Sequence, residues 1–159
     1  MANTDACDGK IANNITYVAT NAILHNSQNQ ILLIKKTSEP FKNHFYLPGG
    51  FLNYGERIED ALKRLIQKNV SLIIEPLEIL GIYSCLNNPY NHVISVVFIC
   101  LIINSLDDKN KISDSEIEKC WVHLNDFYKY CFLFSHKNIL EDYLKWRQNN
   151  GTYWSSKIR

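Results

Sequence analysis

The chain has 159 residues, with 17 basic and 16 acidic side chains, a formal charge of +1, 46% hydrophobic residues and 21% charged ones. That length fits one domain with a sizeable core, and the balance of charge offers no electrostatic footprint for nucleic acid or a membrane surface. A small, nearly neutral ligand pocket is compatible with it.

Residues 1–14 are polar and aperiodic and are expected to form a flexible arm, leaving 15–159 as a single domain. The start lacks the basic and apolar regions of a signal peptide. The longest apolar stretch, Val93 to Ile103, is interrupted by Ser95 and too short to span a bilayer. Cys7, Cys85, Cys100, Cys120 and Cys131 are odd in number and contain no Cys-x-x-Cys, which favours buried thiols over disulfides or zinc. A cytoplasmic protein is expected.

Thr16 to Leu24 is a β-branched and aromatic run that reads as a strand. The turn-forming stretch His25 to Gln30 follows, and Ile31 to Lys36 is expected to complete a hairpin. Phe45-Tyr46-Leu47 is a short extended piece stopped by Pro48-Gly49-Gly50. From Arg57 to about Asn69, Ile58, Ala61, Leu62, Leu65 and Ile66 recur at helical spacing, with Glu59–Lys63 and Asp60–Arg64 as favourable i,i+4 pairs. Pro76 marks a restart before a strand over Glu78 to Cys85. Asn87 to Asn91 reads as a loop, Val93 to Ile103 as a buried strand, and Ser105 to Ser115 as a charged loop. Glu118 to Leu124 reads as a further strand, with Trp121 in the core. Asn125-Asp126 fits the cap of a short helix, and a last helix runs from about His136 to Arg147. This order predicts an α+β sandwich, not a doubly wound parallel sheet.

The chemistry is concentrated in Leu47 to Glu56 and the helix that follows. Gly50, Glu56 and Arg64 match the start of the Nudix signature G-x5-E-x7-R-E-U-x-E-E-x-G-U, where U is a bulky aliphatic residue. Pro40-Phe41-Lys42, Leu47-Pro48-Gly49-Gly50-Phe51, Tyr54-Gly55-Glu56, Gly81-Ile82-Tyr83-Ser84, His92 to Phe98 and Ile139 to Leu144 resemble the ADP-ribose pyrophosphatase branch of that superfamily. The resemblance implies an α/β/α sandwich with a mixed central sheet, a box helix and a C-terminal helix. It also implies Glu56 and Arg64 as structural residues that hold the box together. A metal site of three glutamates would stand at 65, 68 and 69, for the Mg²⁺ or Mn²⁺ that neutralises a pyrophosphate and activates water.

Those three positions hold Leu65, Lys68 and Asn69. None is a carboxylate, and a lysine opposes a divalent cation, so no metal ligand is assigned there. The next glycine of the pattern is Ser71. Gly49, Gly50, Lys68, Phe45 and Tyr83 are the candidate ligand-binding residues: the glycines admit a diphosphate close to backbone, Lys68 offers an ammonium, and the rings offer a stacking surface. Glu116 and Glu118 are candidates for the loop glutamate that related enzymes use on metal or as base; the blander reading is a charged surface loop. His92 reads as structural, and His25, His44, His123 and His136 form no metal-ligand spacing.

Two functions remain open. One is a degenerate Nudix domain that binds a nucleoside-diphosphate-linked, ADP-ribose-like compound with weak or no metal-dependent hydrolysis. As a sensor it is expected to need a separate partner protein, because these residues offer no space for a DNA-binding module. The other is an active, atypical hydrolase of nucleoside diphosphate-X substrates that uses Mg²⁺ or Mn²⁺. A small nucleotide ligand is expected in either case, and a homodimer is compatible with the resemblance.

Overall fold

A computed structural model describes residues 15–86, 92–106 and 116–149. In chain order the strands are β1 (Thr16–Leu24), β2 (Gln30–Lys36), β3 (Phe45–Tyr46) and β4 (Gly49–Phe51). Helix α1 (Ile58–Val70) follows, then β5 (Leu72–Cys85), β6 (His92–Ser105) and β7 (Ile117–His123). A 3-10 turn (Leu124–Lys129) and helix α2 (His136–Asn149) complete the described chain. The predicted arm 1–14, the loop 87–91 and most of the charged loop 105–115 lie outside the described residues.

The strands form a four-stranded sheet ordered β4-β1-β6-β5 and a three-stranded sheet ordered β3-β2-β7. The first is mixed: β1 runs parallel to β6 and antiparallel to β4. The expected β1–β2 hairpin is therefore wrong. Asn26 does make the tight turn, its Oδ1 accepting the amides of Gln28 and Gln30 at 3.0 Å each, but the strands then part into different sheets. Burial supplies the reason. Ile31, Leu32, Leu33 and Ile34 are all buried, so β2 needs apolar cover on both faces. Ile31 and Leu33 join a core with Tyr83, Ile139 and Tyr143, under α2. Leu32 and Ile34 join a second core with Leu62, Ile66 and Val70 of α1. Each such aliphatic side chain contributes about 1.5–3 kcal/mol when taken fully from water. The result is the α/β/α layering the resemblance implies.

Four local expectations also change. β5 runs through Pro76 instead of restarting after it, because β5 is an edge strand and its register slips between Pro76 and Glu78. The intrahelical ion pairs are not made: Lys63 reaches Glu75 at 2.7 Å, and Arg64 turns to Glu56 at 2.6 Å. Trp121 is 40% exposed and not a core aromatic, since Val122 takes the inward face of β7. Of the described cysteines, Cys100 is buried as expected, but Cys131 is exposed.

Candidate functional site

The site begins where β4 lies against β1, with Gly49 opposite Asn21 and Gly50 opposite Thr20. A Cβ at Gly49 would fall 2.1 Å from the Thr20 carbonyl oxygen, so only glycine permits this approach. The loop beyond is tied to α1 by a two-point contact: Arg64 Nε donates to Glu56 Oε1 at 2.6 Å and Nη2 to Oε2 at 2.7 Å. The Asn53 amide adds a third donor to Oε2 at 3.1 Å. The hydrogen bonds from Arg64 first, then from Asn53, hold the Glu56 carboxyl down at about 2. Glu56 and Arg64 are thus brought together, tying the loop to α1.

Along the next turn of α1 the chemistry changes. Leu65 is buried, and a Cβ on Gly50 would lie 3.0 Å from its Cδ2, so the leucine roofs the second glycine. Asn69 donates from Nδ2 to the Gly49 carbonyl at 3.2 Å. Because a carbonyl accepts only, the amide nitrogen and not the amide oxygen must face it. Lys68 is exposed and makes no hydrogen bond or ion pair among the described residues. The helix ends at Ser71, whose left-handed φ of 57° occupies the position where the signature has glycine.

Between the sheets and the start of α2 opens a cleft of about 160 Å³, mostly apolar. Gly49, Gly50 and Tyr83 line it as expected; Phe45 does not, being packed in the core 4.8 Å from the ring of Tyr130. Tyr83 presents its ring while its hydroxyl donates to Asp142 on α2 at 3.1 Å. Lys68, Glu116 and Glu118 are not among the lining residues. Glu118 pairs with Lys35 at 3.3 Å, and the Glu116 carbonyl accepts the Thr37 amide at 2.9 Å.

The cleft contains polar residues that the sequence reading missed. Buried Asn21 accepts from Ser95 Oγ at 2.6 Å and donates to the Leu47 carbonyl at 3.2 Å. The Leu47 amide donates to His136 Nδ1 at 3.2 Å. Both ends of Leu47, two residues before Gly49, are therefore held by side chains of the cleft. An asparagine inside the apolar β1 run was the available signal for Asn21. For His136, scattered among four other histidines, there was none.

The NUDIX domain family model matches residues 16–145. The chain belongs to the Nudix family. This Nudix domain is 39% identical over 131 residues to the ADP-ribose pyrophosphatase of Methanocaldococcus jannaschii, covering 82% of this chain and 74% of that one. In structure it resembles the E. coli ORF135 protein, with TM-score 0.73 at 13% identity, over 91% of this chain and 100% of that one. It also resembles the NUDIX domain of Shewanella oneidensis NrtR complexed with ADP ribose, with TM-score 0.61 at 20% identity, over 86% of this chain and 90% of that one. Nudix hydrolases generally use Mg²⁺ or Mn²⁺. The residues at the box positions of this Nudix domain do not fit such an ion: an aliphatic side chain, an ammonium and an amide N–H stand where hard cations take anionic oxygens. Among the described residues no group of three or more His, Cys, Asp or Glu could hold a metal. No helix among them is long and apolar enough to cross a membrane.

Proposed function

We propose that this Nudix domain binds a nucleoside-diphosphate-linked compound of the ADP-ribose kind and hydrolyses its pyrophosphate weakly or not at all. The observation that carries this reading is the Asn69 hydrogen bond to the Gly49 carbonyl. A neutral amide donor satisfies a backbone oxygen beside the diphosphate cradle, on a helix face that supplies no carboxylate. The cradle itself is retained in Gly49 and Gly50, and Glu56 and Arg64 keep the loop in place. With no ion to neutralise the diphosphate, the ammonium of Lys68 supplies positive charge from the same helix. Phe51 and Tyr83 offer ring surface in the cleft.

A second reading, an atypical active hydrolase, draws support from the 39% identity to an ADP-ribose pyrophosphatase. In it Mg²⁺ or Mn²⁺ would be held largely by ligand phosphates and water, with Glu116 or Glu118 as protein ligand or base. One pair of measurements separates the two. Calorimetric titration with ADP-ribose should give the same affinity in EDTA as in Mg²⁺. Incubation with ADP-ribose, NADH, GDP-mannose and nucleoside triphosphates in Mg²⁺ or Mn²⁺ should release no AMP or other pyrophosphate-cleavage product at an enzymatic rate. Binding that needs the metal, or clear metal-dependent turnover, would establish the second reading instead.

A further inference from the structure

We propose that His136 is a specificity-determining donor of the cleft, its Nε2–H reserved for an uncharged acceptor on the nucleobase of the ligand. This deepens the nucleotide-binding reading above and rests on it.

The argument starts from the backbone. The Leu47 amide lies 3.2 Å from His136 Nδ1, and an amide N–H can only donate. Nδ1 must therefore be the acceptor, which leaves the single proton of a neutral imidazole on Nε2. A doubly protonated ring would set donor against donor, so the main chain selects both the charge state and the tautomer before any ligand arrives. Burial acts in the same direction, pushing the ring down to about 4.

Among the described residues Nε2 has no hydrogen-bond partner. The ring also meets Tyr46 edge-on, with centroids 6.2 Å apart. Nor is the residue sealed away, for it is only partly buried. His136 instead lines the cleft together with Tyr46, Tyr83, Phe134 and Ile139. A fixed-tautomer N–H on a partly buried residue that lines a mostly apolar cavity is a donor available to an acceptor there. Its neutrality gives it no preference for phosphate, and the rings around it suit a flat heteroaromatic group. A ring nitrogen or carbonyl of a base meets both conditions.

The test uses the full chain. In protein labelled with ¹⁵N-histidine at pH 7, His136 should show a protonated Nε2 and an unprotonated Nδ1, and its Nε2–H resonance should move on saturation with ADP-ribose. An Nδ1–H tautomer, an imidazolium, or an Nε2–H indifferent to bound ADP-ribose overturns the assignment. Two substitutions then divide the ring's roles: H136N places an acceptor near the Leu47 amide but no donor at Nε2, and H136Q restores a donor at that reach. ADP-ribose affinity should fall about five- to tenfold in H136N, the range of a single neutral hydrogen bond, and stay within about twofold in H136Q. Equal losses in both, or no loss in either, overturn it. If the wild type carries the expected tautomer yet binds no nucleoside diphosphate, the nucleotide-binding reading fails and takes the donor's role with it. A wrong tautomer in a protein that does bind ADP-ribose sinks His136 alone.

Discussion

The two halves of the box meet on a single helix and have different fates. At its middle, Arg64 grips Glu56 through two nitrogens at 2.6 and 2.7 Å, and the loop beyond Gly49 and Gly50 is tied to the helix. On the very next residue Leu65 packs on Gly50, and about a turn later Asn69 caps the Gly49 carbonyl. The first half needs only a closed loop; the second, in a metal-dependent relative, needs anionic oxygens aimed at one point. The two sets of positions lie within five residues of one helix, Arg64 to Asn69, a rise of about 7.5 Å.

The sharpest way to break the comparison is at the scaffold end. Gly49→Ala drives a methyl to 2.1 Å from the Thr20 carbonyl, and urea denaturation should record a loss of about 3 kcal/mol, the upper range for overpacking a tight site. Stability equal to the wild type would mean that β4 can leave β1 freely. The chemistry end is sharpened by restoring carboxylates: Leu65→Glu, Lys68→Glu and Asn69→Glu together should raise Mn²⁺ affinity at least about tenfold by calorimetry, worth about 1.4 kcal/mol. No gain would place the loss deeper than three side chains. Asn69→Glu also exchanges the donor on Gly49 for an oxygen, so the carbonyl becomes available to an ion.

The gentlest probe is pH. Glu56 is held at about 2 against an ordinary 4.5, so its contribution is complete above pH 4.5 and lost as pH falls toward 2. His136 is held at about 4 against 6.5, so the unfolded chain takes up its proton first and stability declines as pH falls from 6.5 to 4. Chemical denaturation across pH should therefore show two adjoining declines on the acid side. Glu56→Gln should flatten the lower one and leave the upper; a single decline unchanged by that substitution would contradict the assignment.

Much of the fold was legible because it is local. The β-branched runs of β1 and β6, the helical spacing of Ala61, Leu62, Leu65 and Ile66, and the box residues placed most elements within one or two positions; β4 was missed, being read as the stop after Leu47, and β5 begins six residues before the expected Glu78. The partition into two sheets was not legible. β1 pairs with β6, from Thr16↔His92 to Leu24↔Cys100, and no local pattern encodes a partner that distant. The same limit hid Lys63–Glu75, which replaced an intrahelical pair, and the exposure of Trp121. At the site, Leu65, Lys68 and Asn69 could be read from the sequence as side chains without a carboxylate. Phe45 and Tyr83 looked equivalent as aromatics, yet only Tyr83 reaches the cleft, and the grip of Asn21 and His136 on Leu47 exists only once three distant segments meet.

The edge strand β5 has a consequence for life at high concentration. Ile73, Leu77 and Ile79 stand out in solvent on the open side of the sheet, the kind of rail onto which a stray strand from another molecule can zip. Pro76 in their midst has no N–H to offer, the ladder slips a step beside it, and exposed Glu75, paired with Lys63, and Glu78 flank the break with charged and polar groups. The interruption works as a gatekeeper against edge-to-edge stacking, and a smoother, more regular β5 would leave the chain more prone to precipitate.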